Sequence, residues 1–224
     1  EGGRGWRERM AAWAQGEPQR GAQASAVTPV RPGLPGDDLV RMGGDPYAAG
    51  APDTARIQRE ALEAWRVNPL ARRLVSLVTS YTVGDGIRLS SSYAPLDEFL
   101  RSFWADPENR LDLELPEWSD ELSRSGELFL AIFTDSATGR SSVRAVPATA
   151  IDRIEWLEGD YRTELAYHDL SGGMGAERWW KSPRHAEAGV GEAVMLHYAV
   201  NRPIGAVRGE SDLAPILPWL QRYS

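Results

Sequence analysis

Hydrophobic positions first recur with a helical period near residue 53. Asp53 and Thr54 are residue types that start helices, and "ARIQREALEAWRV" after them offers Ile57, Leu62 and Trp65 as apolar contacts. A second helix is predicted over "NPLARRLVSLVTSYT". Asn68 suits its N-cap, and Pro69 suits the first helical position, where the missing N–H is harmless. Leu70, Leu74, Leu77, Val78 and Tyr81 fall on one side of it as an apolar stripe. Gly84-Asp85-Gly86 marks a turn into a strand through Ile87 and Leu89. "PLDEFLRSFWADPENRLDL" predicts a third helix with Leu96, Phe99, Leu100 and Phe103 facing inward. Pro116 opens a fourth, which Gly126 ends.

The period then changes from helical to alternating. "ELFLAIFT" (127–134) is a mostly apolar strand, "DSATG" a hairpin loop and "SSVRAV" the returning strand. A second hairpin is predicted over 151–168, turning at Glu158-Gly159-Asp160. "GGMGAERWW" adds a further strand, and "EAVMLHYAV" is a strong one. Helices followed by strands predict an α+β domain with an antiparallel sheet over residues 53–224. Residues 1–52 are rich in Gly, Pro, Ala and Arg and predict an extended N-terminal arm with no core of its own. Within it Trp6 and Trp13 lie seven apart at helical spacing, where both rings could anchor the arm on one surface, such as that of a neighbouring subunit.

Composition narrows the chemistry. The 224 residues carry a net charge of −7 and no cysteine, which excludes disulfides and thiolate metal sites. No apolar run reaches the length of a membrane span. A basic stripe of the kind that grips nucleic-acid backbone is missing from the pattern. Lys181 is the only lysine; that arginine bias suits buried carboxylate pairs, but codon usage in a GC-rich genome is the simpler explanation.

The three histidines, His168, His185 and His197, have no partner at helical metal-site spacing. His197 lies within a strand and reads as a satisfied, half-buried side chain. No Gly-x-Ser-x-Gly elbow and no phosphate-binding loop occurs. A pair of carboxylates drawn from Glu127, Asp152 and Glu155 would suffice for a glycosidase, with Trp179-Trp180 as an exposed stacking platform. That makes a carbohydrate-active or other hydrolytic domain the alternative to a protein without a catalytic site, metal or cofactor.

The stretch "NRPIGAVRGESDLAPILPW" (201–219) is too specified for a solvent loop. Gly205 and Gly209 allow a tight backbone path. Ser211 can cap a helix, with Asp212 near the positive end of its dipole. Pro215 falls in the first turn, and Pro218 deeper, where it would bend the helix. Arg208 is the candidate for a buried or inter-subunit ion pair.

Five stretches in this order resemble the portal (head-to-tail connector) proteins of tailed bacteriophages and gene transfer agents. They are "NPLARRLVSLVTSYTVGDGI", "FWADPENRLDLE", "SRSGELFLAIF", "RAVPATAIDRI" and "MLHYAVNRPIGAVRGESDLAPILPWL". The resemblance implies the N-terminal, wing portion of such a protein, whose last helix leads to a stem. It implies a homo-oligomeric ring, typically a dodecamer, at one capsid vertex of a virion assembled in the host cytoplasm. Double-stranded DNA passes through such a ring without specific binding during packaging and ejection. The implied partners are the large terminase subunit, the major capsid or scaffolding protein and head-completion or tail adaptor proteins, with no membrane. Gly205, Arg208, Gly209, Ser211, Asp212, Pro215 and Pro218 would then be structural or subunit-interface positions.

Overall fold

The computed structural model describes residues 51–171, 178–185, 187–188, 192–220 and 222. The chain divides into two units, Glu1–Pro46 and Tyr47–Ser224, and all described residues belong to the second. The arm and its Trp6 and Trp13 lie outside them.

Four helices precede the sheet: α1 (Ala51–Val67), α2 (Pro69–Thr82), α3 (Ala94–Ala105) and α4 (Leu111–Ser125). The predicted cap of α2 is present. Asn68 is extended (φ −105°, ψ 116°), and its Oδ1 accepts from Leu70 N at 2.9 Å and Ala71 N at 3.4 Å. Its Nδ2 donates to the Leu220 carbonyl at 3.3 Å, tying the start of α2 to the far end of the fold. No strand forms through Ile87 and Leu89. The fourth helix starts before Pro116, at Leu111, after Arg110 turns left-handed (φ 48°). Pro116 therefore sits inside it and removes one intrahelical donor.

The strands are β1 (Glu127–Thr134), β2 (Ser141–Val146), β3 (Ile151–Leu157), β4 (Asp160–Asp169), β5 (Arg178–Lys181) and β6 (Val194–Ala199), in spatial order β2-β1-β6-β5-β4-β3. The domain is α+β, but its sheet is mixed. β5 and β6 run parallel and meet at one register pair, Lys181 and Val194; the other neighbours are antiparallel. A long connection between β5 and β6 lets the chain cross over, which a hairpin could not do.

The described residues form three packed clusters, two of them on the sheet. Leu128 and Leu130 of β1 pack with Leu111 of α4 and Val143 of β2. The opposite face of β1, with Phe129 and Ala131, packs with Ile151, Ile154, Tyr167 and Met195. Phe129 meets Tyr167 of β4 edge to face at 5.7 Å, although two strands lie between them in the pairing order. The sheet is therefore strongly curled. A third cluster joins α1 and α2 to the end of the described chain through Ala61, Ala64, Ala71, Val75, Leu213, Leu217 and Leu220.

Small residues make that last contact, and the apolar stripe predicted for α2 is left outside. Leu70 is 57 % exposed and Tyr81 85 %, with Leu74 and Val78 also exposed. In α3 no residue is buried; Leu96 and Phe99, expected to face inward, are exposed, while Leu100 and Phe103 are half-buried.

Candidate functional site

The densest polar cluster forms where α4 hands the chain to β1. Gly126 closes α4 in a left-handed conformation (φ 78°), its N–H donating to the Leu122 carbonyl at 2.9 Å. A Cβ there would lie 2.3 Å from the backbone carbon of Glu210, and one on Gly209 would lie 2.1 Å from the Gly126 oxygen. The two glycines let the segments touch backbone to backbone. Three hydrogen bonds fasten the contact: Val200 N to Gly126 O at 2.9 Å, Glu210 N to Val200 O at 3.1 Å and Asp212 N to Ser123 O at 2.9 Å.

This close approach places Arg208 over Glu127, the first residue of β1 and fully buried. Arg208 Nε donates to both carboxylate oxygens, at 2.8 and 2.9 Å, and its Nη2 lies 2.6 Å from Oε2. Its Nη1 donates to the Ile151 carbonyl at 2.9 Å, so one guanidinium joins β1 to the start of β3. Glu127 also accepts from Gly209 N at 3.0 Å and from Gln58 Nε2 of α1 at 2.9 Å. Burial raises the Glu127 carboxyl, but the His197 and Arg208 cations outweigh it and hold it at about 2, below its ordinary 4.5.

His197 sits beneath this pair. Its ring stacks on Phe129 at 4.3 Å, nearly parallel. Its Nδ1 lies 3.0 Å from both oxygens of Glu164, and its Nε2 lies 3.4 Å from Glu127 Oε1, an ion-pair distance without hydrogen-bond alignment. Burial opposes its charge, yet the two flanking carboxylates raise its pKa above the ordinary value of 6.5. Glu164 also accepts from the Tyr167 hydroxyl at 2.9 Å and lies 3.5 Å from Arg202. Burial first, and then Glu164, push that hydroxyl upward.

The other predicted residues distribute as follows. Gly205 has φ +92° with open space beside it. Ser211 is buried, and its Oγ accepts from Leu213 N at 3.0 Å. Asp212 does not face a helix N-terminus. It accepts from Ser123 Oγ at 2.6 Å and Asn201 Nδ2 at 2.7 Å, bracing the end of α4. The expected bent helix is two short pieces, a 3-10 turn Ala214–Ile216 and then α5 (Leu217–Leu220). Pro215 and Pro218 each fall in a first turn, where neither has to break a helix.

The three carboxylates considered for hydrolysis stand in different surroundings. Glu127 is enclosed. Asp152 pairs with His168 at 2.5 Å, and Glu155 is exposed on β3. Trp180 is buried and donates to Asp169 at 2.9 Å, while Trp179 is half-buried against His168, so the pair is not an exposed platform. A shallow cavity of about 340 Å³ is lined by Asp106, Phe133, Asp135, Arg140, Ser142 and Ala193, among others, and touches none of Glu127, His197 or Arg208. Among the described residues no group of three His, Cys, Asp or Glu could hold a metal ion, and no helix is long and apolar enough to cross a membrane.

The sequence reading missed Gln58, Glu164, Tyr167 and Arg202 and set His197 aside. A histidine in an apolar strand was the one available signal. Its carboxylate partners lie 33 and 70 positions away, beyond any local spacing rule. No protein-family model matches this chain, and no curated protein matches it.

Proposed function

We propose that this chain is a structural subunit of a phage-type portal ring, a conduit for double-stranded DNA at a capsid vertex. The observation that carries the reading is where the portal-like stretches meet. Gly126-Glu127, Ile151, and His197 with Arg208-Gly209 come from three of them and join at one closed polar knot. The stretch that begins at Asn68 is tied to Leu220 of the last one. These positions spend their hydrogen bonds on one another. Glu127 takes four of them, two from Arg208 Nε and one each from Gly209 N and Gln58 Nε2, with Arg208 Nη2 at ion-pair distance besides, and it does not line the shallow cavity.

A carboxylate held at about 2 and shielded from solvent is a poor general acid near neutral pH. It is well placed to fix the angle between helices, sheet and the closing turn. The acidic net charge suits a conduit that must not retain its cargo, because each neutralised phosphate adds salt-dependent affinity.

The reading is tested by measuring the mass of the full-length protein in solution together with a gel shift on linear duplex DNA at moderate salt. A closed oligomer of many subunits with no retained DNA is expected. A monomer with hydrolytic activity lost in Glu127→Gln would replace this reading with the hydrolase.

A further inference from the structure

β5 ends where β6 begins. The two strands meet at the pair Lys181 and Val194, and β6 then runs on through residues 195–199. Among the described residues no strand pairs with that stretch on the side facing β4. The opposing part of β4, residues 160–165, pairs with β3 and lies beyond the end of β5. Side chains close this gap in place of a backbone ladder. His197 of β6 reaches across it, its Nδ1 3.0 Å from both oxygens of Glu164. Arg202, in the loop after β6, is a second cation on Glu164 at 3.5 Å, and it also donates to the Val207 carbonyl at 3.2 Å. The His197 side chain is 1 % exposed and that of Arg202 29 %. Glu164 therefore stands between an enclosed cation and one that reaches solvent.

Both ring nitrogens of His197 face carboxylates, Glu164 on one side and Glu127 at 3.4 Å on the other. An imidazolium has an N–H for each, whereas a neutral ring turns a lone pair on one of them. Glu127 is fixed in place by Arg208, Gly209 and Gln58. Glu164 is held besides by the Tyr167 hydroxyl and Arg202, so it is the carboxylate with somewhere to go. Phe129 of β1 covers the ring face, and Arg184, beyond β5, acts on the Tyr167 hydroxyl by charge alone.

We propose that His197 is a proton-operated clasp: charged, it holds Glu164 and closes β4 on β6; neutral, it releases Glu164 to Arg202, and β4 and the 201–207 loop loosen while the rest of the sheet stays folded. Burial lowers the pKa of His197, but its two carboxylates more than offset that, so the clasp opens on the alkaline side of an ordinary histidine. The clasp is independent of the ring reading.

The sequence has no cysteine, so two spin labels can be placed uniquely in the full-length protein. Glu158→Cys at the exposed β3–β4 turn and Ile204→Cys, at a position 95 % exposed, flank the gap. Labelled protein is diluted into unlabelled, and the distance is read by pulsed EPR from about pH 5 to about pH 9. One narrow distance is expected at low pH, giving way in a single-proton step above 6.5 to a broader, longer distribution. Circular dichroism should stay unchanged across the step. His197→Gln should give the broad distribution at every pH. Arg202→Ala removes a cation near the ring, which favours the charged histidine, and should move the step to higher pH. A distance that does not change with pH would overturn the proposal, as would a step that persists in His197→Gln. Where His197→Gln does not fold, Arg202→Ala decides: a step that stays in place or moves to lower pH overturns the clasp.

Discussion

Replacing Arg208 by alanine removes the guanidinium that hydrogen-bonds a carboxylate with no solvent exposure. Deleting one partner of a buried pair leaves the other charge uncompensated, at a cost of about 3–5 kcal/mol. A second route gives a similar size. The displacement of Glu127 from 4.5 to about 2 corresponds to about 3 kcal/mol of preference for its charged form. His197 supplies part of that, and the lost bond to the Ile151 carbonyl adds about 1 kcal/mol. Arg208→Ala is therefore expected to destabilise by about 3 kcal/mol, a large part of an ordinary domain's 5–15 kcal/mol. The assay is urea unfolding followed by tryptophan fluorescence, with the midpoint falling and the slope unchanged. Arg208→Lys keeps the charge but cannot serve Glu127 and Ile151 together, and belongs between the two. In Arg208→Met paired with Glu127→Gln the double variant should recover much of the loss. A midpoint for Arg208→Ala within about 1 kcal/mol of the parent would refute the reasoning, because that is the value of a solvated pair.

Three further outcomes follow from the same geometry. Gly209→Ala places a Cβ 2.1 Å from the Gly126 oxygen and should cost about 3 kcal/mol or prevent folding; Gly205→Ala meets only backbone strain at φ +92° and should cost about 1 kcal/mol, both read from urea midpoints. Asn109 bridges the outer edge of β2, donating to the Ser141 carbonyl at 3.2 Å and accepting from Val143 N at 3.0 Å. Asn109→Ala should cost about 1–3 kcal/mol, and light scattering should report more aggregation as that edge is bared. Stability should also fall on both sides of a plateau. The Glu127 contribution is present above 4.5 and is lost as pH drops from there through about 2, while that of His197 is present below 6.5 and is lost as pH rises through its higher folded value. His197→Gln should remove the alkaline decline, and an unchanged alkaline profile in that variant would show that His197 is neutral in the fold.

Local signals in the sequence were reliable where one segment decides its own conformation. The Asn68-Pro69 start of α2, the Gly126 stop of α4 and the strands at 127–134 and 194–199 all depend on caps or short-range period. The side of α2 that enters the core was not legible. A stripe of large apolar residues marks a face, but Ala71 and Val75 allow α1 and the Leu213–Leu220 segment to come closer, and that packing prevailed. The direction of β5 was hidden too, since nothing in "RWWK" says whether its neighbour is reached by a hairpin or a crossover. Glu127, Asp212 and Arg208 drew attention as individual residues. Their roles depended on partners such as Gln58, 69 positions from Glu127, which only the curled sheet and the paired glycines bring within reach.

The claim that this fold is a building piece is tested most directly by electron-microscope images of the full-length protein. Rings of identical subunits around a central hole wide enough for duplex DNA are the predicted result. Uniform single particles without a hole, at concentrations where the protein is fully folded, would contradict it.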